Sequence, residues 1–288
     1  MSAALWGLAT ALGWGSADFI ARFTGRAMGH ETALLGMLAV GAVILPLVLW
    51  QAGLPLHWDP AGAPYLLLTG VGVMVATLLL YWGLARGPVT IVAPIVGSYP
   101  ALNLMLAVVL GARPTFLEWT AMATVMAGVV TVAASARSFE ASSGYSAKQL
   151  RGTVFIALAS SFGFALTIAA AQTAEQYFGD LQTVCMARWI SLLAIVLVFA
   201  FRRRRPRVPV RWWPLVAIQG ILDGGAYVAL LLGSQGPASA IAVVVASSFG
   251  AVTVVLARLI LREAMTWLQW GGIVLVVAGV ATLSAQGG

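Results

Sequence analysis

The 288-residue chain is 61% hydrophobic and only 9% charged, with a mean hydropathy of +0.95, whereas a soluble domain carries roughly 25% charged residues. Too few polar groups are present to cover a water-facing surface, so lipid must surround this protein. The net charge of +7 does not signal nucleic acid, because the apolar runs leave no soluble surface for a phosphate-binding stripe.

A membrane span needs about 20 mostly apolar residues to cross ~30 Å of hydrocarbon. Along the chain that ruler places spans at 3–22, 32–52, 64–85, 88–111 and 116–135, then 152–172, 182–201, 212–233, 238–261 and 267–285. The predicted class is all-α, with ten transmembrane helices. The N-terminal stretch Met1-Ser2-Ala3-Ala4-Leu5-Trp6 has no basic residue, so the first apolar run is expected to be a span and not a cleaved signal. Between the fifth and sixth spans, Ser135 to Arg151 is the longest polar interval, with Arg137, Glu140, Ser142, Ser143, Gly144 and Lys148. It divides the chain into a first five-helix half (1–136), a linker (137–150) and a second five-helix half (151–288).

The halves share signals. Gly87-Pro88 corresponds to Gly236-Pro237 at an offset of 149, and Leu110, Leu117, Trp119, Ala127 and Gly128 correspond to Leu261, Leu268, Trp270, Ala278 and Gly279 at 151. Two extra residues are therefore expected within the ninth span. Five crossings per half is odd, so the second half enters the membrane upside down. Inverted repeats around a central cavity are a recurring transporter design, with the substrate near the midplane.

Fourteen of the sixteen Lys and Arg residues fall in or beside the loops after spans one, three, five, seven and nine, including the Arg202–Arg205 run, Arg207 and Arg211. Arg113 lies on the other side and Arg188 inside the seventh span. The positive-inside rule then predicts a cytoplasmic cation-rich face and both termini outside. Fifteen of the cations are Arg, a bias that a high-GC bacterial genome produces; the expected location is a bacterial inner membrane.

Several motifs are similar to a known family. They are Trp6-Gly7 and Trp14-Gly15, the Ala85-Arg86-Gly87-Pro88 turn, Pro94 and Pro100, Leu261-Arg262-Glu263, Leu268-Gln269-Trp270-x-Gly272, and Ala278-Gly279. Together they resemble the ten-span EamA-type exporters of the drug/metabolite transporter superfamily, across nearly the whole chain. The resemblance implies a basket-like bundle whose cavity is lined by spans one, three, four, six, eight and nine. It also implies export of amino acids or related metabolites, aromatic ones among them. This chain departs in having Gly111-Ala112 where the family has Gly-Glu, and Ser247-Ser248-Phe249-Gly250 in place of the ninth-span proline. The family is also described with cytoplasmic termini, opposite to the charge count.

Charge within hydrocarbon costs at least ~2.5–3.5 kcal/mol on insertion scales, which makes each intramembrane ionisable residue a functional candidate. Asp18 in the first span is either a local partner of Arg22, one turn later, or a coupling carboxylate for a proton or a cationic substrate. Arg188 and Asp223 lie at depths where they can meet. They form either a structural pair or a pair that exchanges partners with the ammonium and carboxylate of an amino acid. Trp14, Tyr81, Tyr99, Asn103, Phe164, Tyr227, Ser247 and Ser248 supply aromatic and hydroxyl groups on the same spans, suited to amphipathic substrates. Gly83-x-x-x-Gly87 and Gly220-x-x-x-Gly224 have the spacing of close helix contacts, and Pro94 and Pro100 are expected to kink the fourth span.

Other classes are disfavoured. His30 and His57 sit near span ends, the lone Cys185 lies in an apolar run, and neither a phosphate loop of the G-x-x-x-x-G-K-[ST] type nor a Cys/His cluster is present. No catalytic residue, metal or cofactor is expected. A channel would need rings of polar residues. The sequence reading is a monomeric secondary carrier of amino acids or related small metabolites. Drugs, other amphipathic metabolites and lipid handling are the alternatives.

Overall fold

A computed structural model describes residues 2–54, 56–143, 145–234, 239–263 and 265–286, as backbone alone at 136–143 and 239–240. In chain order the helices are α1 (Ala3–Met28), α2 (His30–Gln51), α3 (Ala63–Arg86), α4 (Val89–Val96), α5 (Tyr99–Val109), α6 (Phe116–Ser143), α7 (Ala147–Phe178), α8 (Asp180–Phe201), α9 (Trp213–Gly233), α10 (Ser239–Ala246), α11 (Phe249–Ile260) and α12 (Trp267–Gln286). With α4–α5 and α10–α11 each counted as one broken span, nine segments among the described residues are long and apolar enough to cross a membrane. The tenth is α1. Its Gly, Ser, Thr and Asp18 residues dilute its hydropathy because it faces protein, packing against α2, α3, α9, α10 and α11. Ten crossings put both termini on one face, called here the terminal face. The arginine-rich loops lie on the other, the arginine face.

Some boundaries differ from the sequence expectation. The interval read as a polar linker is mostly helical, since α6 runs to Ser143 and α7 begins at Ala147. Ser146 caps that start, its hydroxyl accepting from the Gln149 N–H at 3.2 Å. Polar residues here carry helices out of the hydrocarbon instead of ending them. The side chains of Arg137, Glu140, Ser142 and Ser143, residue Gly144, and the Gln235-Gly236-Pro237 turn lie outside the described residues.

The duplication is visible in the helix register. Helices α2 and α8 each have 22 residues and start 150 positions apart, as do α4 and α10, and α5 and α11; α6 and α12 start 151 apart. One residue of the shift placed inside the ninth span falls after the starts of α5 and α11; Gly236-Pro237, which set the offset of 149, lie outside the described residues. Gly29 (φ 86°) and Gly179 (φ 73°) make equivalent one-residue turns that need a left-handed backbone. Inter-half contacts repeat as well. The Thr10 hydroxyl donates to the Ala226 carbonyl at 3.2 Å, and the related Ser160 hydroxyl donates to the related Ala76 carbonyl at 2.8 Å. Helix α1 packs on α9 as α7 packs on α3, and α2 on α9 as α8 on α3. The halves therefore interlock, and their mutual interface is the core.

Small residues permit this closeness. A Cβ on Gly15 would lie 2.7 Å from the Phe249 carbonyl and 2.6 Å from Val252, and one on Gly13 would lie 2.9 Å from the Leu222 carbonyl. The Trp-Gly pairs thus set the indole beside a glycine that meets a neighbouring backbone. Gly220 and Gly224 of α9 face Val40 and Ile44 of α2. Gly128 and Gly279 meet the partner helices α12 and α6 reciprocally.

Both broken spans have identifiable causes. Proline lacks the N–H that would bond the carbonyl four residues earlier. Pro94 frees the Thr90 carbonyl, which instead accepts from Gln269 Nε2 at 3.1 Å. Pro100 frees the Val96 carbonyl, which accepts from the Ser161 hydroxyl at 3.3 Å. In the other half, the Ser247 and Ser248 hydroxyls donate to the Val244 and Val245 carbonyls, both at 2.6 Å. Such back-bonding competes with the helical ladder and accompanies the interruption without proline.

Gly15→Val should destabilise the protein by about 1–3 kcal/mol or more through overpacking, read as a lower unfolding temperature in detergent. Gly225→Ala, where nothing lies within 4 Å of an added Cβ, should leave that temperature unchanged or higher.

Candidate functional site

Two polar rows face one another across the bundle. On α1 the row is Trp14, Asp18 and Arg22, and on α9 it is Gln219, Asp223 and Tyr227. Residues four apart share one helix face. Asp18 lies ten residues from the end of α1, and Asp223 ten from both ends of α9, about 15 Å of helical rise. Both therefore sit near mid-membrane.

At that level the Arg188 guanidinium and the Asp223 carboxylate form an ion pair of 2.7 Å, with side chains 4% and 15% exposed. Arg188 also donates to Met37 Sδ at 3.2 Å and lies 5.2 Å from the centre of the Tyr227 ring. A Cβ on Gly41 would come within 3.3–3.5 Å of this guanidinium, so the absent side chain of Gly41 makes room for it. Asp18 is part-exposed and makes no hydrogen bond or ion pair with the described residues. The local Asp18–Arg22 pair weighed from sequence does not form, because Arg22 is engaged elsewhere.

Aromatic rings wall this layer toward the terminal face. Trp14 meets Tyr227 edge-on at 5.0 Å and Phe249 at 6.0 Å. Phe164 and Tyr99 form a second ring pair, 5.9 Å apart. At the 150-residue offset Trp14 corresponds to Phe164 and Phe249 to Tyr99, so the pairs are repeat-related. Phe249 was not among the sequence candidates, although its register with Tyr99 marks it. Asn103 sits one turn beyond Tyr99 and is part-exposed. Ser247 and Ser248 spend their hydroxyl protons on their own helix.

Toward the arginine face the site has a floor. Tyr81 is 1% exposed, and its hydroxyl accepts from Gln219 Nε2 at 2.7 Å. Gln219 Oε1 in turn accepts from the Thr24 hydroxyl at 2.9 Å. Tyr81 thus lies beneath the aromatic walls and not among them. Gln219 and Thr24 were missed because single uncharged polar residues are common in membrane helices; only the four-residue spacing of Gln219 with Asp223 and Tyr227 marks the first.

Below the floor, Arg22 donates to the Leu84 carbonyl at 2.8 Å, to the Gly87 carbonyl, and to the Tyr145 hydroxyl at 3.2 Å. It stands 3.8 Å from the Glu263 carboxylate. Arg26 donates to the Ala85 carbonyl at 2.8 Å. These bonds bind α1 to α3, and α4 packs on α11 at the same face. The repeat-related pairs, α7 with α9 and α5 with α10, share no comparable interface among the described residues. The bundle is closed at the arginine face and spread at the terminal face. Exposure agrees, since Trp14, Asp18, Asn103, Asp223 and Tyr227 are part-exposed whereas Thr24, Tyr81, Thr90 and Gln219 are buried. A separate small cavity adjoins the two helix breaks, between Pro94, Gly97, Ser247, Gly250 and Val276.

Asp223→Asn strands Arg188 in the bundle and should cost about 3–5 kcal/mol, whereas Arg188→Leu combined with Asp223→Leu should recover most of that loss. Thermal unfolding of the three variants in detergent measures both.

Comparison with known proteins agrees with this geometry. No curated relative matches the sequence. A solved chain described as "Crystal structure of protein" superposes with a TM-score of 0.65 at 16% identity, covering 97% of this chain and 95% of its own. At that identity the likeness speaks for the fold. The model of the EamA-like transporter family matches twice, over residues 1–134 and 151–285, one match per inverted half. The chain is therefore a member of the EamA-like transporter family, a multi-pass transporter of the drug/metabolite superfamily.

Proposed function

We propose that this transporter is a secondary carrier that exports amino acids or closely related amphipathic metabolites by alternating access. The observation that carries the reading is the mid-membrane Arg188–Asp223 pair, walled by Trp14 and Tyr227, in a bundle spread at one face and closed at the other. A zwitterion brings a carboxylate and an ammonium. It can take up Arg188 and Asp223 in turn, so that neither charge is left bare while substrate is bound. Tyr227, Trp14, Phe249, Tyr99 and Phe164 offer flat apolar surface to a side chain, which favours aromatic and large aliphatic members.

Asp18 is the coupling candidate. It is a carboxylate at membrane depth without a cationic partner among the described residues, beside Asp223. A proton or a substrate ammonium would neutralise it. The arginine bias supports a closed face in the cytoplasm of a bacterial inner membrane, with the termini outside. One chain contains the whole site, consistent with a monomer.

The test is efflux of a labelled amino-acid panel from proteoliposomes. Saturable, competable movement without ATP is expected, with aromatic members ranked high. Asp223→Asn and Arg188→Gln, in correctly inserted protein, should each lower the rate about tenfold or more, the equivalent of one lost charge-assisted contact. Full activity in both variants would remove the ion pair from the mechanism. Movement of lipid probes with no response to amino acids would replace the carrier reading with lipid handling.

A further inference from the structure

We propose that Glu263 and Arg22 form a one-sided latch that holds the arginine face shut, and that its absence from the other face makes the terminal-face-open state the resting state. The proposal rests on the alternating-access reading above, but its test does not require transport.

The latch joins elements of both halves. Glu263, in the loop after α11, accepts from the Val89 N–H at 3.1 Å, the Thr90 N–H at 3.0 Å and the Thr90 hydroxyl at 2.9 Å. These are the first N–H groups of α4, which have no intrahelical acceptor. A carboxylate there also meets the positive end of the helix. Its position is fixed by Arg258, which donates to the Glu263 carbonyl at 2.9 Å. Arg22 approaches the same carboxylate at 3.8 Å while donating to the ends of α3. One carboxylate thus ties the start of α4 to α1, and through Arg22 to α3. Gln269 adds a second tie to α4 at the carbonyl that Pro94 frees. The Arg22 and Glu263 side chains are 7% and 9% exposed, so opening this face would bare both charges.

Among the described residues, the repeat places no equivalent pair opposite. Gly111 (φ 103°) and Arg262 (φ 55°) occupy the same left-handed position after α5 and α11, which fixes the local register at 151. Glu263 therefore corresponds to Ala112, and Gln269 to Glu118. Glu118 is spent on its own helix start, accepting from the Thr115 N–H at 2.6 Å. Arg22 corresponds, at 150, to Gln172, which is exposed. Neither member of the pair is duplicated, although the helices around them are. The one-sided bonds coincide with the one-sided closure.

The test uses the full chain in proteoliposomes, with Cys185→Ala and a reporter Thr24→Cys. Thr24 is buried under the floor and becomes reachable when the arginine face opens. Labelling by a membrane-impermeant maleimide from that face should be slow in the parent. It should be about tenfold faster in Glu263→Ala, the shift expected for one charge-assisted contact. Acetate at high concentration should slow it again by supplying a free carboxylate to Arg22 and α4. Glu263→Gln, which keeps the shape but not the charge, should label at an intermediate rate and serves if the alanine variant does not fold. An unchanged rate in whichever of these variants folds overturns the latch. So does a faster rate that acetate fails to reverse, which means general loosening. If labelling follows the latch but no substrate moves in the unsubstituted chain, the closure stands and the carrier reading fails.

Discussion

Every backbone carbonyl inside a bilayer must find a donor within the protein, because hydrocarbon supplies none. This chain opens its fourth span with two prolines and its ninth with two serines, and each interruption is answered from within the fold. Gln269 takes the Thr90 carbonyl, Ser161 takes the Val96 carbonyl, and Ser247 and Ser248 turn back on their own helix. Two of those donors lie in the second half and serve the first. The halves are consequently bound together at the points where their helices bend. Closure and the placement of the aromatic pairs both depend on where those bends fall.

The duplication supplies symmetry and the divergence of the copies supplies direction. Thr10 and Ser160, Gly29 and Gly179, and the Trp14–Phe249 and Phe164–Tyr99 ring pairs are faithful repeats. The charges are not. Arg188 and Asp223 correspond to Leu38 and Val73, Asp18 to Ile168, and Glu263 to Ala112. A scaffold of two equal halves would have no preferred face. Placing each charged residue in only one of the two copies gives the bundle an off-axis polar site and different bonds at its two ends.

Burial explains how so few charges suffice. Arg188 is held by Asp223, Met37 and the Tyr227 ring, in space that Gly41 leaves open. A partnered charge at this depth is tolerable because its partner replaces water, and it is costly to separate for the same reason. Asp18 is a carboxylate in this layer that has no such partner among the described residues. The asymmetry between a paired charge and an unpaired neighbour is the chemical signature of the site.

The sequence by itself determined the class, the number of crossings, the division into halves and their inversion, because hydrophobic length and the parity of spans follow from residue order alone. It also marked Arg188, Asp223 and Asp18, since a charge in an apolar run is visible without any contact. Composition did not show that α6 and α7 run on as helices through the polar interval between the halves. Uncharged polar residues such as Gln219 and Thr24 gave no signal of comparable strength, and Glu263 and Gln269 stood out only as parts of family motifs, with no role attached. Only the tertiary structure decided that Arg22 turns from Asp18 toward Glu263 and that Tyr81 is floor and not wall. It alone showed that the arginine face is the closed one. Those outcomes depend on which helix faces meet across the two halves, and residues more than a hundred positions apart carry no record in the sequence of the angle at which they face each other.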